Sequence, residues 1–255
     1  MTDLNQPRIH VIEHAADTGL NLLAPALSGA ELHVVRAQDG DPLPAVEDLQ
    51  GLIVLGGMGN AYADETYPYL PELRDLMAAA VQQQVPTLGI CLGAQLLAVA
   101  GGGQVQVDAP AGVEAGVVEV RLRPGAEDDP VLGPLVQAKG NTVNVASLHF
   151  DAITELPEGA EWLAASRQYP YQAFRLGSAL GLQFHPEVSG EALGAWVRQL
   201  DAGDAEQIEA DWYAASQELT EVADLLGRAF TAQVRAAVVP QAPERADEDA
   251  ALNLV

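Results

Sequence analysis

Cysteine and lysine are nearly absent from this chain, with Cys91 and Lys139 their only representatives. A lone cysteine excludes an internal disulfide and leaves its thiol free, the pattern of a reducing compartment. The scarcity of lysine is one side of a charge imbalance. Asp and Glu number 36 against 12 Lys and Arg, a formal net charge of −24. A surface of that sign repels phosphate backbones and anionic lipid headgroups, which argues against nucleic acid and membrane as partners and for a strongly solvated exterior. No apolar run approaches the roughly 18 residues that span a bilayer. The first residues, MTDLNQPRIHVIEHA, lack the basic segment and apolar core of a secretory signal. These absences lead us to expect a soluble, cytoplasmic protein. Internal repeats, low-complexity tracts and clustered side chains at metal-ligand spacing are missing too, so no metal or other cofactor is expected.

What is present is a core-forming pattern. The 255 residues are 49% hydrophobic, enough for one large α/β domain or one domain with an appendage. RIHVIEHA (residues 8–15) reads as a strand, residues 18–28 as a helix and ELHVVRA (residues 31–37) as a second strand. GLIVLGG (residues 51–57) and VPTLGI (residues 85–90) are short continuous apolar runs, as expected of strands buried on both faces of a parallel sheet. Helical spacing covers residues 71–84 and 92–100, so helices alternate with the strands. From GGGQVQV onward, extended segments follow one another with little helical pattern, suggesting an antiparallel or mixed addition to the sheet. Helical periodicity returns over residues 191–200 and from 204 to about 238, with breaks expected near Gly203 and Gly227. The acidic stretch PQAPERADEDAALNLV reads as a frayed tail. We therefore expect a three-layer, flavodoxin-like α/β fold with a mainly parallel sheet, an antiparallel extension and C-terminal helices. Residues 1–200 would form the main domain and 201–255 an acidic helical extension.

The single cysteine lies in GICLGAQ, where a strand stops and a helix starts. Gly89 and Gly93 flank it at minus two and plus two, where a Cβ would crowd the neighbouring strand or helix. G-x-C-x-G is the spacing of a nucleophile elbow with cysteine in place of serine. A sulfur there sits at a helix N-terminus, whose dipole favours thiolate, and the backbone N–H of Leu92 points to where an oxyanion would form. A buried structural thiol is the alternative. A thiol nucleophile needs a base. His10, His14 and His33 lie in or beside the first two strands, where core or surface roles are the default. His149 in SLHFDA and His185 in GLQFHPEV end apolar strands. His185 has the stronger claim, because Glu187 two residues on projects to the same side of an extended segment and would orient the imidazole.

GICLGAQLLA followed about ninety residues later by QFHPEV resembles the class I glutamine amidotransferase family, whose triad is Cys, His and Glu. IVLGGMGNAYADETYPYL, LPEGAEWLAAS and YPYQAFRLGSALGLQFHPEV are similar to the branch related to the glutaminase half of guanosine monophosphate synthetase. The resemblance implies hydrolysis of the glutamine side-chain amide, with Cys91 as nucleophile, His185 as acid and base, and Glu187 orienting His185. It also implies backbone oxyanion donors at Gly57 and Leu92, and substrate contacts from Gln95, His149 and Asp151. Three departures stand out: Met58 where relatives carry Pro after two glycines, Phe150 in place of Gly in a W-H-G-D segment, and EAGVVEV around Glu114 to Gly116. These leave L-glutamine or another γ-glutamyl compound as substrate. Nothing after Trp196 resembles a nucleotide-binding synthetase. One reading is a subunit that passes ammonia to a separate synthetase, a second a self-sufficient γ-glutamyl hydrolase, and a third a non-catalytic binding protein of the same fold.

Overall fold

The computed structural model describes residues 6–15 and 18–238. The first strands are β1 (Arg8–Glu13), β2 (Glu31–Arg36) and β3 (Gly51–Val54), with the short helix α1 (Leu23–Ala26) between the first two. Then come α2 (Leu70–Gln82), β4 (Thr87–Ile90), α3 (Leu92–Ala100), β5 (Gln104–Gln106) and β6 (Glu114–Leu122). The second half contains α4 (Gly133–Lys139), β7 (Thr142–His149), β8 (Ala152–Glu155), β9 (Glu161–Ser166), β10 (Ala173–Leu176) and β11 (Ala179–Leu182). Three helices complete the described chain: α5 (Gly190–Leu200), α6 (Ala205–Ala214) and α7 (Ser216–Val238).

The expected fold class holds. Nine strands form one sheet in the order β2-β1-β3-β4-β11-β10-β9-β6-β7, beside a small β5-β8 ribbon. The first five are mutually parallel, in the 2-1-3-4-5 arrangement of flavodoxin-like sheets, and β10, β9, β6 and β7 continue antiparallel. Strand pleat explains why GLIVLGG is apolar throughout. Ile53 and Leu55 face one layer, packing with Leu23, Leu226 and Phe230, while Leu52 and Val54 face the other with Leu73, Met77 and Leu96. Helices therefore cover both faces of the parallel half.

α7 belongs to that core. Leu219, Val222, Leu226, Phe230 and Val234 are buried along one stripe of the helix. Gly227 does not interrupt it, contrary to expectation: a Cβ there would lie 2.6 Å from Cβ of Ala26, so the glycine permits close approach to α1. The break falls at Ala215 instead, between α6 and α7. Two other expectations are corrected. The helix over 18–28 shrinks to four residues, because Thr18 Oγ1 bonds the Ala15 carbonyl and Asn21, at φ 34°, bonds the Gly19 carbonyl in competing turns. The second half also contains α4, entered from a turn held by Asp129, whose Oδ1 accepts from the backbone N–H groups of Val131 and Leu132. The tail at 240–255 lies outside the described residues.

Candidate active site

The chain reverses abruptly at Cys91. β4 ends at Ile90, α3 begins at Leu92, and Cys91 between them adopts φ 50°, ψ −106°. A non-glycine residue held there costs on the order of 1–3 kcal/mol and persists only where its surroundings enforce it. Here its N–H donates to the Leu182 carbonyl at 2.8 Å, and the two flanking glycines are sterically required. A Cβ on Gly89 would lie 2.5 Å from the Gly93 carbonyl oxygen, and one on Gly93 would lie 2.0 Å from that of Val54. The thiol emerges at the carboxyl end of the parallel strands, where open α/β sheets collect their ligands.

The neighbouring strand delivers the partner. Beyond β11 the chain reaches His185, whose N–H donates to the Ala146 carbonyl at 2.8 Å. Its Nδ1 lies 2.7 Å from Oε1 of Glu187, and both side chains are at most 4% exposed. The ring packs edge-on against Trp196 with centroids 5.3 Å apart. Burial by itself disfavours the charged ring, but the Glu187 carboxylate and then the Cys91 sulfur outweigh it, so the His185 pKa lies well above the ordinary histidine value. His185 and Cys91 meet beneath the loop leaving β3. A Cβ on Gly56 would lie 2.9 Å from Cε1 of His185 and 3.5 Å from Cβ of Cys91. An imidazole so placed can exchange a proton with the sulfur.

A cavity of about 280 Å³ opens beside the sulfur, and Gly57, Leu92, Gln95, His149 and Asp151 all line it with Cys91. As the first residue of α3, Leu92 has a backbone N–H with no intrahelical acceptor. Gly57 is its neighbour: a Cβ there would stand 3.1 Å from Cδ2 of Leu92 and 2.7 Å from Cβ of His14. Gln95 is buried, with Nε2 donating to the Asp151 carbonyl and to Gln183 Oε1, each at 3.2 Å. Both ring nitrogens of His149 are engaged by the protein, Nδ1 with the Asp151 carbonyl at 2.9 Å and Nε2 with Glu114 Oε2 at 3.1 Å. As placed, His149 therefore forms wall and support and offers no free nitrogen to a ligand. The Asp151 carboxylate accepts from the Asp108 N–H at 2.9 Å, and burial pushes its pKa up.

A larger groove of about 970 Å³ runs along β6 and β9, but it contains neither the thiol nor His185. Size alone does not single out the site here; the strained Cys91 beside the buried His185–Glu187 pair does. Sequence reasoning missed two supports. His14 is buried against Gly57 and paired with the Tyr69 hydroxyl at 2.8 Å, and burial pushes its pKa down to about 4. Glu114 is the other, and only its cross-strand register opposite His149 brings it into the site.

Comparison with known proteins agrees with this geometry. The family model for class-I glutamine amidotransferase matches residues 21–199. The GMP synthase (glutamine-hydrolyzing) of Leifsonia xyli subsp. xyli is 32% identical over 208 residues, 81% of this chain and 38% of that protein. The namesake from Thermomicrobium roseum is 31% identical over 182 residues, 70% of this chain and 32% of its own. The chain thus spans about a third of the length of these relatives. Among solved structures, a glutamine amido transferase from Methylobacillus flagellatus superposes with TM-score 0.79 at 27% identity, covering 89% of this chain and 95% of that one. A glutamine amidotransferase from Thermotoga maritima gives TM-score 0.76 at 25% identity, covering 88% and 98%. With the model match spanning well over half of its length, the chain belongs to the class-I glutamine amidotransferase family.

Proposed function

We propose that this protein hydrolyses the side-chain amide of L-glutamine through Cys91, His185 and Glu187. The observation that carries the reading is the strained Cys91 facing the buried His185–Glu187 pair at the mouth of a small cavity. The sulfur attacks the amide carbon, and the oxyanion that forms lies between the backbone N–H groups of Gly57 and Leu92. Glu187 occupies Nδ1 of His185, leaving Nε2 to protonate the departing nitrogen. Ammonia and a γ-glutamyl thioester result. His185 then takes a proton from water, hydroxide adds to the thioester, and glutamate leaves as the thiol is restored. At about 280 Å³ the cavity falls just below the range typical of drug-sized ligands, which favours one small amino acid over a larger γ-glutamyl peptide.

The destination of the ammonia is the second part of the proposal. The relatives named above are synthases that hydrolyse glutamine, so a synthetase active site is the acceptor this reading supports. The direct test is release of ammonia and glutamate from glutamine by the purified protein and by Cys91→Ala. Release by wild type, and its loss in the folded variant, is the expected result. Equal release by both would refute the mechanism.

A further inference from the structure

The pocket wall opposite Cys91 is the end of β7 and the turn after it. The Leu148 carbonyl oxygen lies 3.8 Å from the Cys91 sulfur, and Asp151 borders the same cavity. Two donors converge on the Asp151 backbone carbonyl, Gln95 Nε2 at 3.2 Å and His149 Nδ1 at 2.9 Å. The orientation of His149 is fixed in turn from behind. Glu114 is its cross-strand partner, and the carboxylate, 4% exposed, collects four donors. Oε2 accepts from His149 Nε2 at 3.1 Å, Gln172 Nε2 at 2.6 Å and Ser147 Oγ at 3.4 Å, while Oε1 accepts from Ser166 Oγ at 2.5 Å. A buried carboxylate is costly to place even with four donors around it, and a structural role in an antiparallel pair does not require one. The Glu114 carboxylate makes no hydrogen bond to Cys91, His185 or Glu187 and, at the back of His149, does not line the cavity beside Cys91.

We propose that Glu114 is a positioning residue for substrate binding. Acting through His149, it holds the Asp151 carbonyl and with it the wall against which the amino-acid part of the substrate is seated. The proposal rests on the glutamine reading above. Its effect is on recognition, so it separates from triad chemistry. Iodoacetamide is small enough to alkylate Cys91 without the pocket wall, whereas diazo-oxo-norleucine, an electrophilic glutamine analogue, must first occupy the pocket.

The test compares both reagents on wild type, Glu114→Gln, His149→Gln and the double variant, following labelling of Cys91 by mass spectrometry. Gln at 114 keeps the shape but presents a donor to His149. Gln at 149 can still reach Glu114 but loses the bond to Asp151. Glu114→Gln is expected to slow labelling by the diazo analogue about tenfold, through a weaker saturation constant, with the iodoacetamide rate unchanged. In the His149→Gln background the second change should add little, because both cut one link. A Glu114→Gln protein that keeps wild-type selectivity for the analogue, or an effect fully additive with His149→Gln, would overturn the positioning role. If Glu114→Gln does not fold, His149→Gln alone decides: wild-type selectivity there overturns it equally. Wild-type protein that reacts with iodoacetamide but ignores the analogue would instead overturn the glutamine reading itself.

Discussion

Gly56 is the point at which a single methyl group should separate catalysis from folding. Its backbone lies outside the left-handed region, so alanine is conformationally allowed there and would even restrict the unfolded chain, worth about 0.4–1 kcal/mol of stability. The difficulty is spatial. The added Cβ would stand 2.9 Å from Cε1 of His185, closer than carbon atoms tolerate, and 3.5 Å from Cβ of Cys91. His185 cannot yield freely, because Glu187 holds Nδ1 at 2.7 Å and Trp196 packs against the ring. Relief requires a shift of roughly half an ångström in the ring or the loop. Misplacing a reacting group by 1 Å can cost about a hundredfold, so ten- to a hundredfold is the expected loss in kcat. Overpacking costs about 1–3 kcal/mol, partly offset by the backbone gain, which for a chain of this size lowers Tm by only a few degrees. The assay is glutaminase turnover with iodoacetamide labelling of Cys91, alongside a thermal melt. A Gly56→Ala protein with wild-type turnover would refute the placement of His185 against the thiol beneath this loop.

Two further outcomes test the electrostatics. The folded-state pKa of His185 lies above its ordinary value of 6.5, so its pairing contributes stability that is complete below about pH 6.5 and fades as pH climbs through the raised value. Glu187→Gln removes the strongest upward influence, so the Tm gap between wild type and this variant should be widest near pH 6 and narrow as pH climbs through the raised value; a gap that widens with pH contradicts the assignment. Arg175 donates to both oxygens of Asp129 at 2.7 and 2.8 Å in a pair at most 10% exposed, and Asp129 also holds the turn that leads into α4. Arg175→Met strands that carboxylate and should cost about 3–5 kcal/mol, lowering Tm by about 6–20 °C; a shift below about 2 °C in differential scanning would show the pair to be dispensable.

The parallel half of the fold was legible because its signals are local. Continuous apolar runs marked β3 and β4, and the helix over residues 92–100 was bounded correctly by Cys91 and the glycines after Ala100. The antiparallel half is recognisable as extended, yet α4 is not, since the turn leading into it is held by Asp129, which is itself held by Arg175 from a distant strand. Gly227 misled for a related reason: a glycine that reads as a helix break makes room for Ala26, two hundred residues earlier.

Within the site the division follows the same line. Sequence by itself determined the elbow, because G-x-C-x-G states a steric condition within five residues, and it determined the pairing of His185 with Glu187, because alternation puts both on one side of an extended segment. Nothing in the local chemistry placed His185 against Cys91. That depended on β11 pairing in parallel with β4, which brings the ends of the two strands together. Tertiary structure likewise decided the surroundings of His149. Its position resembled that of a substrate contact, but the register of β6 against β7 sets Glu114 behind it and commits both ring nitrogens to the protein. Register between distant strands is set by the whole sheet, and no stretch of the chain encodes it alone.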